Sequence, residues 1–339
     1  MRLAQAGARL PALRVAPAFL LVALLVSGCS FLGIGSSGGA SGSGQITVAV
    51  VPGIDNAPLQ VAVQEGLFRQ NGLNVVVKNY PSIGAEYRAL TSGQAQVAAG
   101  DYTDFFYMQS SGGAKLRLIA DGYDAASNSV AILTLPTSGI TTPQQLQGLP
   151  GGVAAAPAGL VQAGKAVPFN IQTLAAQEVL QNDGVSSSTV TWTAMPPQNM
   201  IGALRAGQVK AILVTEPYIL QAEEQLGAVE LVNASTGVTD GLPMSGYFSL
   251  ASYQHANPSA VQAFQKALAQ AQSECAQRGL VQGALSHLTG MTTGESALVT
   301  LGTYPASLNV GQVQRVATLM YDSGMIRTPI TVSSLTAGT

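Results

Sequence analysis

Three carboxylates in this chain stand where they could do chemistry, each just past the end of a predicted strand. Asp55 lies with Asn56 in the turn after a strand expected over 46–51. Asp101 and Tyr102 follow a strand over 95–99, and Glu216 sits between Thr215 and Pro217-Tyr218 after a strand over 210–214. In open α/β sheets, ligands sit beyond the carboxyl ends of the strands, near helix N-termini. Facing such a cleft, Asp55, Asp101 and Glu216 would favour a ligand carrying an amine or a ring N–H. Asp101 with Glu216 would alternatively make an acid/base pair. Tyr102 and Tyr218 offer ring surface for a planar ligand. Asn128, Gln198 and Thr215 offer hydrogen bonds, and Ala156-Pro157 forms a small-residue turn. Ser82 and Gly84 open a helix, a nest whose free N–H groups would suit an anion, although such a turn also reads as a plain cap. No Lys or Arg occupies these loops, which weighs against a simple oxyanion such as nitrate.

Other chemistries find no support. The two histidines, His255 and His287, lack metal-ligand spacing, so no metal site is expected. No G-x-S-x-G follows a predicted strand, since the match at 35–39 falls in a Gly/Ser run, and no G-x-x-x-x-G-K-[ST] phosphate loop occurs, so no cofactor is expected. Only 9% of residues are charged and no basic patch exists, which argues against nucleic acid. Cys275 falls on an apolar helical face with Val261, Phe264, Leu268 and Ala271, and reads as packing.

The elements that must hold these residues begin after an unusual N-terminus. Arg2, Arg9 and Arg14 precede an apolar stretch over 16–26, then Ser27, Gly28 and Cys29. This order is a basic region, a short apolar region and a small-residue processing site. It resembles a bacterial lipoprotein signal over 1–28, with Val26-Ser27-Gly28-Cys29 in the lipobox positions. The resemblance implies cleavage before Cys29 and acylation of its thiol by a fatty acid such as palmitate. The apolar stretch is too short for a bilayer span, which takes about 20 residues. Residues 33–44 are almost all Gly and Ser, so 29–45 reads as a flexible tether.

Strand and helix patterns then alternate. Strands are expected over 46–51, 73–78, 95–99, 116–120 and 130–133, with helices over 59–71 and 85–92. A second unit after Pro136 places strands over 152–156, 189–194 and 210–214, with helices over 142–146, 173–182 and 199–205. The alternation predicts an α/β fold with mostly parallel sheets covered on both faces. Ala89-Leu90-Thr91-Ser92-Gly93-Gln94 is echoed by Ala203-Leu204-Arg205-Ala206-Gly207-Gln208 at an offset of 114. Two copies of one half suggest two lobes. A further strand over 247–251 and helices over 259–277, 280–287 and 310–323 would return to the first lobe. Lobe one is expected over 46–136 and 245–339, lobe two over 137–244, with crossings near 134–138 and 241–247.

Several short words in this order resemble a known family. Ala57-Pro58-Leu59 through Gln64-Glu65-Gly66-Leu67-Phe68, then Asn71-Gly72-Leu73, looks like the opening of nitrate/sulfonate/taurine-type solute-binding proteins. Ala89-Leu90 with Gly93-Gln94, the segment 140–148, and Ala203-Leu204 with Gly207-Gln208 before Glu216-Pro217-Tyr218 resemble its later signatures. The family's acid two residues after each Gly-Gln step is replaced here by Gln96 and Lys210. The resemblance implies a type II periplasmic-binding-protein fold with two hinge crossings. It implies a monomeric receptor on the extracytoplasmic face that captures a small solute, sulfonate-like or pyrimidine-like, for an ATP-driven (ABC) importer's permease and its ATPase. It implies no catalysis. Two alternatives remain open, a dehydratase-like enzyme of the same fold and a lipid-anchored sensor or adhesin.

Overall fold

The computed structural model describes residues 45–157, 159 and 170–336. The expected signal, Cys29 and nearly all of the tether therefore lie outside the described residues. Among the described residues, ten strands form two five-stranded sheets. The first contains β1 (Gln45–Val50), β2 (Asn74–Asn79), β3 (Val97–Asp101), β4 (Leu116–Asp124) and, late in the chain, β10 (Pro243–Leu250). The second contains β5 (Val130–Thr134), β6 (Val153–Ala155), β7 (Trp192–Ala194), β8 (Ala211–Thr215) and β9 (Val229–Asn233). Their spatial orders are β2-β1-β3-β10-β4 and β7-β6-β8-β5-β9. β1 lies between β2 and β3 with every residue after Gln45 buried, so its sequence is an apolar run broken only by Thr47.

The internal echo is structural. Helix Ile83–Thr91 and strand β3 recur as helix Pro197–Arg205 and strand β8, residue for residue at the offset seen in the sequence. Gly93 and Gly207 close the two helices at φ +75° and +68°. Each N–H bonds back to the leucine three residues earlier, at 3.1 Å in both copies. Glycine is favoured there because only it takes a left-handed terminus without strain.

The structure adds one reversed strand to each sheet and moves the first crossing. Four of the five strands in each sheet run the same way, and one does not: β10 lies antiparallel between β3 and β4, and β5 lies antiparallel between β8 and β9. Both strands begin at a crossing, so they run away from the end where β3 and β8 finish. For the same reason the first crossing comes earlier than 134–138. β5 is hydrogen-bonded into the second sheet, so the chain passes over between Asp124 and Val130, and it returns between Asn233 and Pro243. The two crossings are tied together. Ala125 N–H donates to Leu242 O at 2.9 Å, and Ser129 and Val130 N–H both donate to Ser235 Oγ at 3.2 Å.

The late helices pack on elements of the first sheet. Helices Pro258–Glu274 and Arg278–Thr289 lie against helix Ala57–Gln64, and helix Val310–Asp322 lies against helix Tyr102–Ser110. Phe68 stacks on Phe264 at 5.2 Å. Cys275 ends Pro258–Glu274 in the core beside the residues of its apolar stripe, and burial pushes its thiol up to about 12. Among the described residues no helix is long and apolar enough to cross a membrane.

Candidate functional site

A cavity of about 470 Å³ opens where the carboxyl ends of β1, β3 and β8 meet the crossings. The turn Gly53-Ile54-Asp55 supplies one wall from the first sheet, with Gly100 and Asp101 beside it. Thr215 to Tyr218 supply the opposing wall from the second. The remaining lining comes from Tyr123, Ser129, Met244 and Ser245 at the crossings, and from Gln172 near the start of helix Ile171–Asn182. That helix start is held in place by Asn170. Its side chain accepts from Thr173 N–H at 2.8 Å and donates to Ala156 O at 2.8 Å. Gly159 brings the second lobe directly onto the first, since a Cβ there would stand 2.6 Å from Ile83 Cβ. Only a glycine permits that approach.

Among the thirteen sequence candidates, Asp55, Asp101, Thr215, Glu216 and Tyr218 line this cavity. The others sit elsewhere. Ser82 is the N-cap of helix Ile83–Thr91, accepting from Ala85 N–H at 3.3 Å, so the small turn acts as a cap. Gly84 lies within that helix, and Ile83 takes the wall position. Asn56 is buried at the start of helix Ala57–Gln64. Asn128 stands exposed on a crossing at φ 65°, where Asn233 holds its backbone and side chain. Gln198 and Pro157 are exposed, and Ala156 acts through its carbonyl.

Tyr102 is a clear correction. It is fully buried, packed with Phe106 and Phe248, and its hydroxyl donates to Asp121 Oδ1 at 2.7 Å. A ring in that position is core and cannot stack on a ligand. Sequence reading also missed Leu288 and Thr289, at the end of helix Arg278–Thr289, which reach the cavity from far along the chain. No local signal marks them, because tertiary packing alone brings the helix there.

The electrostatics are one-sided. The described lining residues include Asp55, Asp101 and Glu216 and no Lys, Arg or His. Burial pushes Asp55 up to about 6, and the Ser245 hydroxyl and backbone N–H groups of its turn pull the other way. Asp101 is held well above the usual carboxylate range, first by burial and then by Asp104 and Asp55. Glu86, fully buried behind this wall, is raised well above it by burial and by Asp55 and Asp104. Glu216 is raised by burial despite two donors. Its Oε1 accepts from Thr300 N–H at 2.9 Å and its Oε2 from Leu220 N–H at 3.1 Å. Thr300 follows helix Thr293–Leu298, on the side of the first sheet, so this carboxylate joins the lobes. Among the described residues no group of acids, histidines or cysteines is placed to hold a metal ion.

Residues 39–286 match the NMT1-like family. The chain belongs to that family. Solved structures carry the same fold at low identity, and NMT1-like membership agrees with them. The alkanesulfonate-binding protein SsuA from Xanthomonas axonopodis pv. citri, bound to MOPS, is 19% identical with a TM-score of 0.67, over 86% of this chain and 98% of its own. The periplasmic nitrate-binding protein NrtA from Synechocystis PCC 6803 is 16% identical with a TM-score of 0.68, over 86% of each chain. The desulfurization enzyme DSZB is 13% identical with a TM-score of 0.64, over 86% of this chain and 96% of its own. No curated protein sequence matches the chain. Family and fold together bear out the resemblance read from the sequence.

Proposed function

We propose that this chain is the extracytoplasmic receptor of an ATP-driven importer, capturing a small organic solute between its lobes and passing it unchanged to a permease. One observation carries the reading. The cavity draws its walls from the strand ends of two separate sheets that the chain connects through paired crossings, the geometry of a hinge closing on a guest. The family membership and the two binding-protein folds support it. The lipoprotein-like leader with Cys29 supports a membrane-anchored location, with the Gly/Ser tether leaving a monomeric receptor free to turn toward its permease.

Native mass spectrometry of the purified chain is expected to show one co-purifying small molecule per protein. Adding that molecule back to stripped protein should contract the chain in small-angle scattering and leave the molecule intact. Conversion of the molecule into a product would replace this reading with the enzyme alternative. Replacing the acylated residue supplies a separate check. Cys29→Ala is expected to abolish lipid labelling and to leave the chain unprocessed or released from membranes, as read by fractionation.

A further inference from the structure

We propose, resting on the solute-capture reading above, that residues 299–304 form a strap that couples lobe closure to the hinge, with Gly302 and Tyr304 as its positioning residues. The segment follows helix Thr293–Leu298 and contains neither helix nor strand, yet it is bonded to four separate parts of the protein. The Arg278 guanidinium fixes its start, donating to Ala297 O at 2.9 Å and to Val299 O at 2.7 Å. Thr300 N–H reaches the lobe-two wall at Glu216. Gly302 N–H donates to the Tyr123 hydroxyl at 2.6 Å, and Thr303 exchanges both backbone bonds with Asp124, at 2.9 and 3.0 Å. Asp124 is the last residue of β4, where the first crossing begins. Tyr304 completes the set. Its hydroxyl donates to Ile54 O at 2.8 Å in the cavity turn, and its ring lies 5.3 Å from that of Tyr123.

These bonds make seating the strap and closing the lobes one event. Within a few residues the chain grips lobe two, the crossing about which lobe two turns, and the turn that forms the lobe-one wall. A rotation that withdraws Glu216 removes one anchor. Conversely, a strap lifted from Tyr123 and Asp124 carries Thr300 away from Glu216. Coupling of this kind is reciprocal. Gly302 decides whether the strap can seat. A Cβ there would fall on Asp124 O and stand 2.7 Å from Tyr123 Cζ, so a side chain unseats it. Neither Gly302 nor Tyr304 lines the solute cavity. They belong to a second cavity of about 430 Å³, lined by Leu301 to Tyr304 together with Cys275, Ala276 and Val281. Cys275 is 7% exposed, so its thiol reports whether the strap is down. The strap lies past residues 39–286, so family membership does not by itself imply it.

The test labels Cys275 of the full chain, as purified, with 5,5′-dithiobis(2-nitrobenzoate), and peptide mapping separates this site from Cys29. Glu216→Ala, in the other lobe, and Gly302→Ala are each expected to speed labelling about tenfold. Tyr304→Phe should speed it by a smaller factor, because its ring stays beside Tyr123. Exposed Glu224→Gln should leave it unchanged. Hydrogen exchange gives the second reading. Gly302→Ala should raise exchange at 216–226 in lobe two and at both crossings, which a local packing defect in lobe one would leave alone. Melting curves show which variants fold, and if Gly302→Ala does not, Tyr304→Phe takes its place in both readings. Labelling indifferent to Glu216→Ala overturns the proposal. So does lobe-two exchange indifferent to the strap variant. Native mass spectrometry separates the strap from the reading it rests on. A co-purified molecule without this coupling would reject the strap and keep solute capture. Coupling in a chain that carries no small molecule would keep the strap and reject capture.

Discussion

The ligand-free protein is expected to melt about 5 °C higher at pH 5 than at pH 8. Proteins whose carboxylates are paired behave the other way, losing stability as those groups protonate. Here the folded state raises its carboxylates. Asp55 rises to about 6 and Asp124, half-buried near a crossing beside Asp121, to about 7. In the unfolded chain both titrate near 4. Between those values the native state binds more protons than the unfolded state, so stability is lost as pH rises through that window. One pKa unit corresponds to about 1.4 kcal/mol. For Asp55 and Asp124 together the difference between pH 5 and pH 8 comes to roughly 4 kcal/mol, and screening of partly exposed groups leaves about half. At about 2–4 °C per kcal/mol the midpoint moves by the stated amount. Glu86 and Asp101 act in the same direction. Glu295, lowered by its Thr292 cap, opposes them from a half-buried position. Scanning calorimetry at both pH values reads the sign directly. A midpoint unchanged or higher at pH 8 would mean that the acids are compensated. Asp55→Asn should narrow the difference.

What the sequence disclosed follows from where its patterns are local. The Gly-Gln step at 93–94 and 207–208 is a helix end, set by a few neighbouring residues, and it located two helices and two strands correctly. Asp55, Asp101 and Glu216 were found because strand ends point into the cavity in any open α/β sheet. Helix Tyr102–Ser110 leaves no helical pattern in the sequence. Its first five residues are all buried, Asp104 and Thr103 included, so no apolar stripe alternates with a polar face. The same burial turned Tyr102 from a supposed ligand contact into core. Membership of β5 in the second sheet was hidden for a different reason. An apolar strand of five residues carries no mark of its direction or neighbours, and only pairing with β8 and β9 reveals them. Leu288 and Thr289 fall in the same class, since their role depends on how a remote helix docks.

Glu216→Ala is expected to weaken solute binding by about ten- to a hundredfold while moving the melting temperature little. The carboxylate does two jobs in the lobe-to-lobe contact. One oxygen accepts from Leu220 N–H in the first turn of helix Tyr218–Leu226, where a negative charge also meets the positive helix end. The other crosses to Thr300 N–H. A hydrogen bond to a charged group contributes about 1.5–3 kcal/mol. If closure forms the Thr300 bond, its loss lowers the closed fraction, and apparent affinity falls in proportion. Stability changes less, because the substitution also removes a carboxylate whose burial disfavours its charge. Glu216→Gln keeps an acceptor for Thr300 and should lose only part of the affinity. Thr300→Pro deletes the donor without altering a cavity-lining residue, so it separates the latch from a direct solute contact. If Thr300→Pro folds and binds like wild type while Glu216→Ala does not, Glu216 acts on the solute and the lobes are held together by other contacts.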